Sequence, residues 1–117
     1  MNQANTRPWE TEYEIEATDI LAETPDLRVL KITLAAGQSI PWHYHTAIVD
    51  QFYCLEGDLK VETKGGRQAF TLAAGDECQI EAKAAHFVSN NGPSRCRFLL
   101  VQGVGAYDFC AIPAPDS

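Results

Sequence analysis

The 117-residue sequence lacks long uncharged apolar runs, clusters of basic residues and an apolar leader segment. Without about 20 consecutive apolar residues, no membrane-spanning helix is expected. Nine basic residues against sixteen acidic ones give a formal net charge of −7, which argues against binding nucleic acid or an anionic membrane. The polar start "MNQANTRPWETEYE" has no basic and apolar segments of the signal-peptide type. These absences predict a cytoplasmic protein without nucleic-acid or membrane partners.

Paired cysteine motifs are also missing. Cys54, Cys78, Cys96 and Cys110 are scattered through apolar segments, and no C-x-x-C pair occurs. A zinc ribbon or a thioredoxin-like site requires such pairs. A disulfide framework is possible in number but lacks a secretory context. We therefore interpret the cysteines as reduced, buried, small apolar residues.

Helical periodicity is absent over any useful length, and alternating strand-like segments take its place. The segment 16–25 allows at most a turn or two of helix. Turn signals such as "EGD", "KGGR" and "NNGP" separate the apolar segments at the spacing of an antiparallel sandwich or barrel. We predict one all-β domain over residues 1–117, with loose termini at about 1–10 and 112–117. The predicted strands are 27–34, 50–56, 59–63, 67–72, 77–82, 86–90, 95–102 and 107–112.

A short sequence echo divides the chain into two parts. "LAAGQ" (34–38) and "LAAGD" (72–76) have the same strand-exit pattern, and each is followed by a short strand and then by histidine. Two copies are too few for a solenoid, but they fit a fold of two similar halves. Chance recurrence of alanine and glycine is the alternative.

Histidine is scarce, yet two of the three histidines are separated by a single residue. On a strand, His43 and His45 project from one face, while Trp42 and Tyr44 project from the other. Two imidazoles on one face can chelate a metal ion. Asp50 opens the next apolar strand, and a hairpin there would bring it beside the histidines. The His-x-His pattern by itself is a weak signal, because surface strands also carry it by chance.

The spacing of these residues extends into a longer pattern. It consists of Gly37, His43, His45, Asp50 and Gly57, followed by Gly75, His86 and Asn90. This pattern resembles the cupin superfamily, whose motifs are G-x5-H-x-H-x3,4-E-x6-G and G-x5-P-x-G-x2-H-x3-N. The resemblance implies an antiparallel double-stranded β-helix, or jelly-roll, barrel. It also implies that His43, His45, Asp50 and His86 hold one divalent metal ion: Fe, Mn, Ni, Co or Zn.

The chain departs from the cupin motifs at three positions. Asp50 replaces the glutamate and is one methylene shorter, which predicts a longer or missing bond to the metal. Glu81 and Lys83 replace the proline and glycine of the second motif. They are candidates for contact with a substrate at the pocket rim, with solvated turn residues as the alternative.

Two more residues are candidates for lining the pocket. Phe52 and Cys54 share the strand parity of Asp50 and would face the same side as that carboxylate. Asn90, at the end of the second motif, is interpreted as a strand-end residue that supports the barrel.

The resemblance leaves two functions open. The first is a small metalloenzyme of the dioxygenase, lyase or isomerase type, acting on a small carbonyl- or hydroxyl-bearing molecule. The second is a non-catalytic module that binds a small molecule or regulates. Small cupins commonly pair through edge strands, and "TEYEIEA" (11–17) is a candidate edge strand, so we expect a homodimer.

Overall fold

The structure is a computed structural model that describes residues 15–114. Ten strands make up most of this range, and a single 3-10 turn at 64–66 is its only helical element. Nothing in residues 15–114 forms a helix of the length and apolarity needed to cross a membrane. The strands are β1 (Ala17–Thr24), β2 (Leu27–Leu34), β3 (Ser39–Tyr44), β4 (Val49–Glu56), β5 (Leu59–Thr63), β6 (Gln68–Leu72), β7 (Glu77–Ile80), β8 (His86–Ser89), β9 (Cys96–Gly103) and β10 (Cys110–Ala111).

The strands form two five-stranded sheets in which every neighbouring pair is antiparallel. One sheet has the order β1-β2-β9-β4-β7 and the other has the order β10-β3-β8-β5-β6. Strands that are adjacent in sequence often lie in different sheets, so the chain repeatedly crosses between them. This arrangement confirms the predicted all-β jelly-roll barrel.

Two segments differ from the strand prediction. The segment 16–25, predicted to be at most a helical turn, contains strand β1, and only Ala17 and Ile20 of that strand are partly buried. Because the other side chains of β1 are exposed, the strand has no apolar alternation, and backbone pairing with β2 holds it instead. The predicted strand 107–112 is reduced to the two residues of β10.

Some of the predictions fall on residues that the structure does not describe. The loose N-terminus at 1–10 lies outside the described range, as does most of the candidate dimer strand at 11–17. At the other end, residues 112–114 are described and belong to no strand.

The two turns of the sequence echo have the same conformation. In both 34–38 and 72–76, the residue after glycine donates its backbone N–H to the carbonyl of the first alanine, at 3.0 and 2.9 Å. Gly37 and Gly75 have φ angles of 84° and 95°, a region that glycine adopts without steric cost. The echo therefore marks equivalent turns in the two halves of the barrel.

The barrel interior changes character along its length. Phe98 lies between Ile32 and Cys54 in the register of the first sheet, and Gln102 lies between Arg28 and Asp50. We call one end the apolar end; its members are Ile32, Leu34, Cys54, Leu59, Cys96 and Phe98. We call the other the polar end; its members are Arg28, His43, His45, Asp50, Thr63, His86 and Gln102. All of these residues are buried.

The cysteines lie where an apolar role predicts them. Cys54, Cys78 and Cys96 are buried thiols, and Cys110 is partly buried. Burial raises the pKa of Cys96 to about 12 and that of Cys78 to about 11, which keeps both thiols protonated at neutral pH.

Candidate metal centre

An irregularity in β3 turns the first histidine inward. Ile40 pairs with Val88, and His43 pairs with His86, so β3 uses one more residue than β8 between the two pairs. Such a bulge lets Ile40 and His43 face the same side although they are three residues apart. His45 follows immediately after β3 and is also buried, as the i, i+2 spacing predicts.

Four side chains converge at the polar end. The potential ligand atoms of His43, His45, Asp50 and His86 all lie within 4.8 Å of one another, and all four residues are buried. The Oδ2 atom of Asp50 lies 3.0 Å from Nε2 of His45 and 2.8 Å from Nε2 of His86. The shorter aspartate therefore reaches the histidines.

The backbone holds each imidazole in one orientation. The Nδ1 atom of every histidine lies 2.5–2.9 Å from a backbone carbonyl oxygen, which can only accept a hydrogen bond. An Nδ1–H that donates to such an oxygen leaves the Nε2 lone pair available for a metal ion. The carbonyls belong to Pro41 for His43, Asp108 for His45 and Ala84 for His86.

Burial and mutual contact set the charges of this cluster. Burial, with a contribution from the neighbouring His86, lowers the pKa of His43 to about 3 and keeps its imidazole neutral. Burial would also lower the pKa of His45, but the hydrogen bond and the charge of Asp50 outweigh it and raise that pKa. Burial would raise the pKa of Asp50, but its close contacts with His45 and His86 hold that pKa well below its usual range. A neutral imidazole and an ionised carboxylate are the protonation states that ligate a metal ion.

The donor set fits a divalent transition metal. Neutral imidazole nitrogen and carboxylate oxygen suit Fe, Mn, Ni, Co and Zn, so the donors do not select one ion. Four protein ligands leave room for a further ligand when the ion accepts five or six.

The segment 107–110 lies against the histidines, and we call it the cap segment. The Phe109 ring stacks on His43 with centroids 4.3 Å apart, and the Tyr107 ring lies 5.4 Å from that of His45. The carboxylate of Asp108 accepts hydrogen bonds from the backbone N–H and the hydroxyl of Thr46, at 2.8 and 2.7 Å. Sequence reasoning predicted only a strand here, and the alternating aromatics of "YDFC" were its one signal.

Gln102 also belongs to the site and has no counterpart among the predicted residues. Its side-chain Nε2–H donates to Oδ1 of Asp50 at 3.0 Å. Register alone brings the two residues together across β4 and β9, 52 positions apart in the chain. No sequence signal distinguishes this glutamine from other residues of the strand.

Arg28 completes the polar row on the far side of Gln102. Its guanidinium lies 3.9 Å from the centre of the Tyr107 ring and 3.5 Å from the Glu23 carboxylate. A cavity of about 400 Å³ opens beside Arg28 and Tyr107, next to the turn between β1 and β2. Tyr107 therefore lies between this cavity and His45.

The two candidate pocket residues of β4 occupy different depths. Phe52 is buried one row below Asp50, and its ring lies 6.2 Å from that of His86 in an edge-on arrangement. Cys54 lies a further row away, opposite Phe98, and its thiol faces the carbonyls of Glu56 and Gly57. Phe52 thus contacts the histidine cluster, whereas Cys54 packs in the apolar end.

Glu81 and Lys83 are exposed on the turn before β8. Lys83 replaces the motif glycine and still has a positive φ of 70°. Its backbone N–H donates to the carbonyl of His45 at 2.7 Å, which ties the turn to the first histidine segment. The Glu81 side chain accepts a hydrogen bond from Gln79. Both residues thus lie on an exposed turn that is joined to the first histidine segment through the Lys83 backbone.

Comparison with solved structures finds the same fold in several organisms. A conserved protein with a double-stranded β-helix domain from Klebsiella pneumoniae subsp. pneumoniae MGH 78578 is 22% identical, with a TM-score of 0.73 over 93% of this chain and 98% of the other. A protein from Thermus thermophilus is 23% identical, with a TM-score of 0.70 over 89% and 95%. A Thermotoga maritima protein described as a predicted oxalate decarboxylase is 25% identical, with a TM-score of 0.61 over 66% and 65%.

A comparison with curated proteins found no match to the chain. The family model described as "Cupin domain" matches residues 30–102, which is more than half of the sequence. This range contains all three histidines, Asp50 and Gln102. The chain belongs to the cupin domain family.

Proposed function

We propose that the protein is a small metal-dependent enzyme of the dioxygenase, lyase or isomerase type, acting on a small carbonyl- or hydroxyl-bearing molecule. One observation carries the proposal: three imidazoles and one carboxylate, all buried, offer ligand atoms within 4.8 Å of one another. Burying four such groups is costly unless each finds a partner, and a metal ion would satisfy all four together.

His43, His45, Asp50 and His86 would hold one divalent ion. When bound, such an ion supplies Lewis-acid polarisation of a carbonyl or hydroxyl oxygen, or activation of water. The backbone carbonyls at the three Nδ1 atoms orient the imidazoles, so the ligand geometry would be set before an ion binds.

The cap segment would control access to the ion. Phe109 and Tyr107 cover His43 and His45 with aromatic rings, and the hydrogen bonds from Thr46 to Asp108 fix the segment. A covered site excludes bulk water and strengthens the electrostatic interactions inside it. The substrate would therefore be small.

Similarity to the Thermotoga maritima protein, described as a predicted oxalate decarboxylase, supports a small oxygen-rich substrate. Carboxylate, carbonyl and hydroxyl oxygens are suitable ligands for the same divalent ions. The reaction type follows from the identity of the ion and the substrate, and a screen can determine both.

The test begins with elemental analysis of protein purified without chelator. Wild type should carry close to one equivalent of a divalent metal, and His43→Ala and His86→Ala should lose it. The loaded protein is then assayed with small carboxylates, hydroxy acids and sugars, with and without chelator. Turnover that disappears on chelation supports the enzyme. Equal metal content in all three proteins refutes the metal centre.

The second candidate function is a non-catalytic module that binds a small molecule through the metal. The close stacking of Phe109 on His43 favours it, because it leaves little space above that imidazole. Metal-dependent binding without turnover across the same set of compounds would support this alternative.

We also propose that two copies of the chain form a homodimer. Among the strands of residues 15–114, β1 lies at the edge of its sheet, and Leu21 on it is 56% exposed. An unpaired edge with an exposed apolar side chain is a common pairing surface. Light scattering should give a mass close to twice 12.9 kDa, and a monomer at micromolar concentration would contradict the proposal.

A further inference from the structure

Gln102 is buried at the edge of the candidate metal centre, and within residues 15–114 its side chain makes one hydrogen bond. Its exposed fraction is 4%, and its Nε2–H donates to Asp50 at 3.0 Å. Its Oε1 atom is buried and has no hydrogen-bond partner in the part of the chain that the structure describes. Leaving a buried acceptor unpaired costs roughly 1–3 kcal/mol, so such an atom in a binding site marks a position for a ligand donor.

The contact with Gln102 gives the two carboxylate oxygens of Asp50 different partners. Oδ1 accepts the hydrogen bond from Gln102, while Oδ2 faces His45 and His86. With Oδ1 held by the amide, only Oδ2 is directed toward the ligand atoms of the histidines. Gln102 therefore orients Asp50 as a ligand that uses one oxygen.

Neighbouring residues do not supply the missing donor. Arg28, which pairs with Gln102 in the register of β2 and β9, directs its guanidinium to Tyr107 and Glu23. Phe52 and Leu100, one row deeper in the same sheet, have apolar side chains. Within residues 15–114 no donor reaches Oε1, which leaves this acceptor open to a donor on a molecule that enters the site.

We propose that Gln102 is a positioning and specificity residue of the metal centre: its amide N–H fixes Asp50 as a one-oxygen ligand, and its amide oxygen accepts a hydrogen bond from a substrate hydroxyl. The inference rests on the proposed metal site and narrows the substrate class. A divalent ion with one carboxylate ligand keeps a net positive charge, which favours an anion. The substrate class is a small carboxylate that carries a hydroxyl group close to its metal-binding oxygen.

Binding of two small probes can test this selection. Glycolate carries a hydroxyl beside its carboxylate, whereas methoxyacetate carries an ether oxygen and cannot donate. The proteins are loaded with Co(II), whose visible spectrum reports the ligands around the ion, and each probe is titrated into the loaded protein. Gln102→Met removes both amide atoms at similar volume. Gln51→Met is the matched control, because Gln51 lies on the outer side of β4 next to Asp50.

Wild type should prefer glycolate over methoxyacetate, and Gln102→Met should reduce that preference by about 3–10-fold, the range for one neutral hydrogen bond. Dividing the wild-type preference for glycolate by that of Gln102→Met cancels the effect of the different probe sizes, as in a double-mutant cycle. Gln102→Met should also change the Co(II) spectrum and weaken Co(II) binding by about 10–100-fold. Gln51→Met should match wild type in every measurement.

The outcomes separate the two proposals. Wild type that fails to bind Co(II) refutes the metal centre and the role of Gln102 with it. If wild type binds Co(II) but Gln102→Met has the wild-type Co(II) spectrum and the wild-type preference for glycolate, the role of Gln102 is refuted and the metal centre is not. If Gln102→Met does not fold, Gln102→Glu replaces it. This variant keeps an acceptor oxygen and loses the amide donor, so it should change the spectrum and retain the glycolate preference, and an unchanged spectrum would overturn the proposal.

Discussion

The apolar and polar ends of the barrel share strands β2, β4, β5 and β9, and the residues of both are buried, but the two ends differ in chemistry. β4 carries Asp50 at one end and Cys54 at the other, and β9 carries Gln102 and Phe98 in the same way. At the apolar end, burial of carbon surface stabilises the fold by about 25 cal/mol per Å². At the polar end, burial costs free energy that hydrogen bonds must offset.

The hydrogen bonds of the polar end show how this cost is met. Each imidazole Nδ1 faces a backbone carbonyl, Asp50 accepts from Gln102, and its Oδ2 lies against Nε2 of His45 and His86. These contacts fix the geometry but leave the Gln102 oxygen unpaired within the described part of the chain. The comparison indicates that the apolar end supplies stability and that the polar end uses part of it to hold a site.

The largest expected effect comes from emptying the apolar end. Phe98 is fully buried and packs against Phe52, with ring centroids 5.8 Å apart. Phe98→Ala should lower the free energy of unfolding by about 3–5 kcal/mol, through lost burial and a residual cavity. Urea unfolding measures the change. Leu55→Ala, at a half-exposed apolar position, is the control and should cost far less. The folded fraction of Phe98→Ala should still bind metal. Loss of metal from it would contradict the assignment of stability to the apolar end and of metal binding to the polar end.

The next effect comes from removing a ligand at the polar end. His86→Ala should weaken metal binding by more than about 100-fold, beyond the range seen when a supporting residue is lost. Competition with a metal-binding dye measures the affinity, and far-ultraviolet circular dichroism should show an unchanged β spectrum. Gln79→Ala, at an exposed site on β7, should bind metal like wild type. Unfolding of His86→Ala would instead assign a structural role to the polar end.

Removal of the metal ion should destabilise the wild-type protein while preserving its fold. A ligand at 100 times its dissociation constant stabilises the folded state by about 2.7 kcal/mol, so a chelator should lower the thermal midpoint by several degrees. The shift should be absent in His86→Ala. Equal shifts in both proteins would show that the chelator acts elsewhere.

Neutralising the carboxylate should have a smaller effect than removing an imidazole. Asp50→Asn preserves the size of the side chain and removes its charge, and metal affinity should fall by about 10–100-fold. Metal titration of the variant beside His86→Ala gives the ranking directly. Affinity equal to that of wild type would mean that Asp50 does not bind the ion.

The smallest expected effect concerns the cap segment. Thr46→Val removes the hydroxyl that donates to Asp108 while keeping the branched shape. Loss of one hydrogen bond of about 0.5–1.5 kcal/mol should let a chelator extract the metal about 2–10-fold faster, with little change in the unfolding free energy. Stopped-flow extraction measures the rate. Extraction at the wild-type rate would show that the cap segment does not limit access.

Much of the architecture was predictable because it depends on local patterns. Alternating apolar residues and glycine turns placed most of the predicted strands close to their observed ends. Strand β1 was not predicted because its side chains are mostly exposed and show no apolar alternation. Backbone pairing with β2 holds this strand in the sheet. The resemblance to the cupin motifs implied that His43, His45 and His86 form one set, and the structure brings them together.

The sequence by itself determined the fold class and the equivalent turns at Gly37 and Gly75, since apolar alternation and glycine turns are local patterns. Its resemblance to the cupin motifs implied the four candidate ligands. Only the tertiary structure decided the rest of the site. The β3 bulge turns His43 inward, and the register of β4 and β9 places Gln102 beside Asp50. The cap segment places Phe109 on His43. The last two contacts join residues 52 and 66 positions apart, and no local pattern records which distant residue will face another across a closed barrel.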